Sequence, residues 1–158
     1  MPDDGLKTRF WQLVMRWYPA VRHATTPFTP LRVPLPEARV ALVTSCGVHL
    51  AADAPFDLAD RRGDPSFREI PAAATAADLA ITHGHYNQRD ARLDPNVVFP
   101  LARLHELARE GAIGQVAPRH YGFMGSIPRP ARLIRHTAPE VARRLAADAV
   151  DVVLLTPC

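Results

Sequence analysis

The stretch ARVALVTS, residues 38–45, is an unbroken run of aliphatic and β-branched residues, entered just after Pro36 and left through Cys46-Gly47. Such a run marks a strand buried on both faces, which belongs in a parallel sheet rather than in one with a wet side. Two further runs share its character: DLAITHGH (78–85) and VDVVLLTP (150–157). Two helical patterns accompany them. PLARLHELAREG (100–111) has Pro100 near its start and Gly111 where a helix stops. TAPEVARRLAADA (137–149) offers Thr137 as N-cap, Glu140 three residues on as its capping-box partner, and a Val141, Leu145, Ala149 stripe. Buried strands alternating with helices predict an α/β domain, a mainly parallel sheet with flanking helices in a Rossmann-like three-layer arrangement.

Before this core, LKTRFWQLVMRWY (6–18) places Phe10, Leu13, Val14 and Trp17 at helical spacing, and the proline-rich stretch from Pro19 to Pro36 reads as an extended arm. The expected organisation is therefore a helix and arm over 1–37 and an α/β domain over 38–158. The third strand runs straight into Thr156, Pro157 and Cys158. A buried parallel strand is normally followed by a helix that covers the sheet, so the domain reads as C-terminally incomplete, with an apolar face left exposed or covered by a partner.

Composition narrows the function classes. The net charge is +3, but all basic residues except Lys7 are arginines, spread along the chain and mostly beside acids, as in Asp60-Arg61-Arg62 and Arg68-Glu69. Nucleic-acid binding needs a clustered basic face, which this pattern does not predict. Two cysteines are too few for a disulfide framework, and the apolar run near the N-terminus is too short for a signal peptide or a membrane span. A cytoplasmic protein with reduced thiols and no membrane association is expected.

In open α/β sheets, functional residues lie just beyond the carboxyl ends of the strands. That rule selects three places: Cys46 to His49, His83 to Asp90, and Cys158. His83, His85 and Tyr86 are candidates for general acid or substrate clamp, and Cys46 and Cys158 for the nucleophile. His49, Ser66, Arg68, Asp90 and His120 are candidate substrate contacts, Arg68 through a carboxylate. Each has a plainer reading. Cys46 reads equally as a buried structural cysteine. One of the two histidines of the His-x-His pair fixes a turn; Asp64, Ser66, Arg68 and Glu69 pair with one another; His120 anchors a loop. His23, His105 and His136 read as surface residues. His-x-His also suits a metal, yet Asn87 and Gln88 stand where a metallo-β-lactamase pattern would supply further ligands, so no metal is assigned.

Several segments together resemble one family. VALVTSCGVHL (40–50) is similar to the strand and turn that open the core of the selenoprotein B subunits of glycine, sarcosine, betaine and D-proline reductases. GDPSFREIP (63–71) resembles their Gly-Asp-x-Ser-x-Arg-x-Ile-Pro signature, and the segment 81–114 resembles their His-x-His-Tyr stretch followed by Asp-x-Asn-x-Val-Phe-Pro. APRHYGFMG (117–125) resembles their His-x-x-Phe-Met-Gly block, and VDVVLLTP their last strand before the redox residue.

The resemblance implies a thiol- or selenol-dependent reductive cleavage of a C–N bond in a small amine or amino-acid substrate. In that family selenocysteine or cysteine follows the last strand and opens a U-x-x-C or C-x-x-C type motif, by register at position 159. The sequence stops one residue short, and termination at a selenocysteine codon is the hypothesis this motivates. An in-frame downstream continuation with a nearby cysteine tests it. No bound cofactor is expected. The resemblance implies a dithiol electron donor, a pyruvoyl group on a partner subunit holding the amine, and assembly with other reductase subunits or with itself. The alternatives are a metal-dependent hydrolase or lyase using His83 and His85, a non-catalytic binding subunit, or a truncated fragment.

Overall fold

The computed structural model describes Leu13 and residues 29–157. The predicted N-terminal helix, His23 and Cys158 lie outside the described residues.

The chain builds a mixed α/β body around β1 (Arg39–Thr44). The 38–45 run is buried as its composition requires: Ala41 and Leu42 are wholly inaccessible. On one side β1 pairs in parallel with β7 (Val152–Thr156) over five residue pairs. On the other it pairs in parallel first with β5 (Gln115–Val116) and then with β6 (Arg119–Phe123). β3 (Phe67–Pro71) closes that side, antiparallel to β6. The sheet is thus mostly parallel, with one antiparallel edge.

Two expectations need correction. The second apolar run does not join this sheet. Only Leu79–Ile81 (β4) is a strand, and it pairs antiparallel with β2 (Val48–Leu50) as a separate ribbon. The cause lies at Gly47, whose φ of +71° turns the chain back after β1. A Cβ there would stand 2.1 Å from the Thr82 carbonyl oxygen, so only glycine lets the two segments meet. The third run is a strand with its apolar side chains exposed, in keeping with the uncovered face expected for it: Val153, Leu154 and Leu155 are 37%, 42% and 67% exposed. Thr137 does not cap its helix. The backbone there is already helical, and its hydroxyl donates to the Leu133 carbonyl inside a π-helical turn, Leu133–Thr137.

The described helices are α1 (Arg89–Leu93), α2 (Leu101–Arg109) and α3 (Ala138–Ala147). α2 buries Leu101 and Leu104 in the cluster that holds Val40 and Leu42, and α3 buries Val141 against Tyr121 and Phe123. Alternate side chains of a strand point to opposite faces, which separates the two clusters. Each buried Leu or Val contributes about 1.5–3 kcal/mol relative to exposure. Charge fastens α3 as well. Asp148 accepts two 2.7 Å hydrogen bonds from Arg119, and Glu69 of β3 accepts one of 2.9 Å from Arg144 of α3.

Candidate functional site

The carboxyl ends of β1, β6 and β7 lie side by side, and the polar groups there are bonded to one another. The Thr156 carbonyl oxygen accepts from the Ser45 N–H at 3.1 Å, the Thr44 hydroxyl at 3.1 Å and the Cys46 thiol at 3.6 Å. The Thr44 hydroxyl proton is shared with the Val98 carbonyl, also 3.1 Å away, while the Thr156 hydroxyl donates to that same carbonyl at 2.7 Å. The Cys46 N–H returns to Thr44 Oγ1. The tips of β1 and β7 are thereby fixed against each other and against the segment before α2.

The His83–Tyr86 turn is tied to this junction by the Tyr86 hydroxyl, which donates to the Cys46 carbonyl at 3.1 Å. The His83 ring lies 4.9 Å from that of Tyr86 and 5.9 Å from that of His85, centre to centre. The His85 N–H donates to His83 Nδ1, which leaves the ring proton of neutral His83 on Nε2. His83 is buried and His85 exposed. Burial first, and the nearby His85 second, hold His83 below the usual histidine range, so it is neutral at pH 7.

A cleft of about 630 Å³ opens on these strand ends. Thr44 and Ser45, Phe123 and Met124, and Leu155 to Pro157 line it from the three strands, and Ile127, Pro130, Leu133 and Ala138 form its outer wall. Among the described residues, no charged side chain lines it. His83, His85 and Tyr86 do not line it either; they stand behind the Cys46 backbone.

The other candidates lie elsewhere. His49 is buried, with Nδ1 2.7 Å from the Leu50 carbonyl and Nε2 2.8 Å from the Thr82 hydroxyl. Both ring nitrogens are engaged, and His49 ties β2 to the segment after β4. Arg68 bonds the carbonyls of Ala54, Pro55 and Phe67 and the Ser66 hydroxyl, with Phe56 beneath its guanidinium at 4.4 Å. Ser66 in turn donates to Asp64. This set holds the 54–66 loop. Asp90 is exposed in the first turn of α1 and forms no side-chain hydrogen bond or ion pair among the described residues.

His120 is wholly buried. Its Nδ1 accepts the Leu42 N–H at 2.9 Å, and Nε2 has no partner among the described residues. Burial, with a smaller contribution from His105, brings its pKa down to about 4. No group of three His, Cys, Asp or Glu side chains that could hold a metal occurs among the described residues. No described helix is long and apolar enough to cross a membrane.

A mostly parallel sheet with an apolar crevice at the carboxyl ends of its strands defines a mixed α/β protein. Its family follows from sequence. The model of glycine/sarcosine/betaine reductase selenoprotein B matches residues 19–158, and the chain belongs to that family. It is 43% identical to D-proline reductase subunit gamma of Acetoanaerobium sticklandii over 129 residues, 82% of this chain and 52% of that protein. It is 30% identical to glycine reductase complex component B subunit gamma of Symbiobacterium thermophilum over 152 residues, covering 88% of this chain and 33% of that protein. Identity to sarcosine reductase complex component B subunit beta of Peptoclostridium acidaminophilum is 27% over 146 residues. The chain thus spans between a third and about half of the length of these relatives. No solved structure matches.

Proposed function

We propose that the chain forms the substrate-site part of a reductase of the glycine/sarcosine/betaine/D-proline type, acting in the cytoplasm within a complex of several subunits. One C–N bond of a small amine or amino acid is replaced by a C–H and an N–H bond, as a dithiol gives up two electrons and two protons and becomes a disulfide. The observation that carries this reading is the cleft at the carboxyl ends of β1, β6 and β7 in a chain 43% identical to a D-proline reductase subunit. The same reading takes α2 and α3 as the outer layers of a Rossmann-like three-layer arrangement.

The redox-active selenol or thiol of this family would supply the nucleophile, and a cleft ending at Thr156 and Pro157 suits a group carried just beyond β7. The chain's own residues bind and position. The apolar cleft excludes water and accepts the carbon skeleton of the substrate. Neutral His83 packs with His85 and Tyr86 behind the Cys46 backbone and holds the turn that borders the cleft. Cys46 holds the strand ends in register through its backbone and thiol, and Cys158 adjoins the reacting group. A pyruvoyl group on a partner subunit, where the complex carries one, would anchor an amine substrate.

The test uses the complex purified from its source, with dithiothreitol as donor and glycine, sarcosine, betaine and D-proline offered in turn. Loss of one of them is the expected result. An intact complex that consumes none of the four overturns the reading.

A further inference from the structure

The wall of the cleft has a second side. Between Ile127 and Ala138 the apolar Ile127, Pro130, Leu133 and Ala138 line the cleft, while Arg129, Arg132, Arg135 and His136 are exposed. The fold brings a distant basic segment to them. The Arg129 N–H donates to the Arg62 carbonyl at 3.1 Å, and Arg62, Arg129 and Arg132 line one hollow while Arg132, Arg135 and His136 line the next. One carboxylate, Asp60, lies in these hollows, and it is already bonded to Arg62. Arg129, Arg132 and Arg135 have no ion-pair partner among the described residues, whereas Arg119, Arg143 and Arg144 all do. Ile134, 64% exposed, stands among them. It belongs to the π-helical turn Leu133–Thr137, a geometry uncommon outside functional segments. Arginine is enriched in protein interfaces relative to the rest of the surface, and an exposed aliphatic side chain ringed by arginines fits such a face.

We propose that this face, Arg62 with Arg129 to His136, docks an acidic surface of another subunit of the same complex. Charge complementarity selects the partner: the face offers cations in excess, and an acidic protein surface pairs them while covering Ile134. A segment that forms the cleft wall on one side and the interface on the other ties docking to the shape of the substrate site. The inference rests on the proposed multi-subunit reading but not on its chemistry.

Phenylglyoxal, which modifies arginine, tests it on the full-length chain, isolated and in its native complex, with peptide mass spectrometry as readout. Arg129, Arg132 and Arg135 are expected to react about tenfold more slowly in the complex, with Arg103 and Arg109 of α2 unchanged. The pair Arg132→Glu and Arg135→Glu is expected to release the partner at lower salt, and the pair Arg103→Glu and Arg109→Glu to leave it bound. Equal modification in both states overturns the proposal while leaving the complex standing. Protection of the isolated chain by inorganic phosphate or a single-stranded oligonucleotide overturns it in favour of a small anion or nucleic acid. Recovery of an active chain with no partner overturns it and leaves the chemistry intact; recovery of an inactive lone chain overturns both.

Discussion

The turn at 45–50 and the cleft wall at 127–138 border the same strand ends, and they differ in how their polar groups are used. In the turn, Cys46, Gly47 and His49 are buried and bonded inward: the Gly47 N–H to the Phe123 carbonyl, the Gly47 carbonyl to the Thr82 N–H, and both nitrogens of His49 to the ribbon. In the wall, apolar side chains face a cleft, and Arg129, Arg132 and Arg135 face outward with no ion-pair partner among the described residues. Residue types common in active sites sit in the first region and serve its architecture. The second has an unremarkable sequence, and its side chains line a cleft on one side and stand exposed on the other. Satisfaction of hydrogen bonds, rather than residue type, separates them.

The sharpest way to break the comparison is to damage the turn. Gly47→Ala forces a side chain into a left-handed backbone and against the Thr82 carbonyl, and Gly122→Ala would put a Cβ 1.9 Å from the Val48 carbonyl oxygen. Each is expected to cost about 4 kcal/mol or more in denaturant unfolding, enough to leave little folded protein.

His120 gives a pH-dependent effect of nearly that size. Its pKa falls from 6.5 unfolded to about 4 folded, so the unfolded chain binds the extra proton first as the solution is acidified. Its contribution is present above pH 6.5 and is lost as pH falls from there to about 4, about 3 kcal/mol in all. His120→Asn can still accept the Leu42 N–H and should flatten that slope in unfolding measured across this range. An unchanged slope would place the titration elsewhere.

Thr44→Val and Thr156→Val each remove a hydroxyl that bonds the Val98 carbonyl, and each should cost about 1–2 kcal/mol. Their combined effect should exceed the sum of the two in a double-mutant cycle, because only the double variant strips both hydroxyls from that shared acceptor. At the far end, Leu155→Ser on exposed β7 should change stability by less than about 0.5 kcal/mol, since little burial is lost. A large loss there would mean that the strand is covered in solution.

Much of the fold was legible from local pattern. The 38–45 run is the central strand, Gly111 at φ +73° follows the end of α2, and 150–157 contains a parallel strand. The misreadings share a cause. β6, RHYGF, has none of the aliphatic character that signals a strand, because its Gly122 makes room for the Val48 backbone and its buried His120 bonds Leu42. DLAITHGH has that character but supplies only a three-residue ribbon, because Gly47 turns β2 toward it. Thr137 and Glu140 have capping-box spacing, yet the helix begins earlier, and Glu140 pairs with Arg143 and Arg144 instead.

By itself the sequence determined the mixed α/β character with its mostly parallel sheet, the central strand and the family, since burial in a parallel sheet demands continuous apolar runs and short motifs persist in order along the chain. Only the tertiary structure decided which histidines are spent on the scaffold, where the cleft lies, and that arginines 62 and 129 to 135 share one face. Those outcomes depend on contacts between residues tens of positions apart, which local periodicity does not encode.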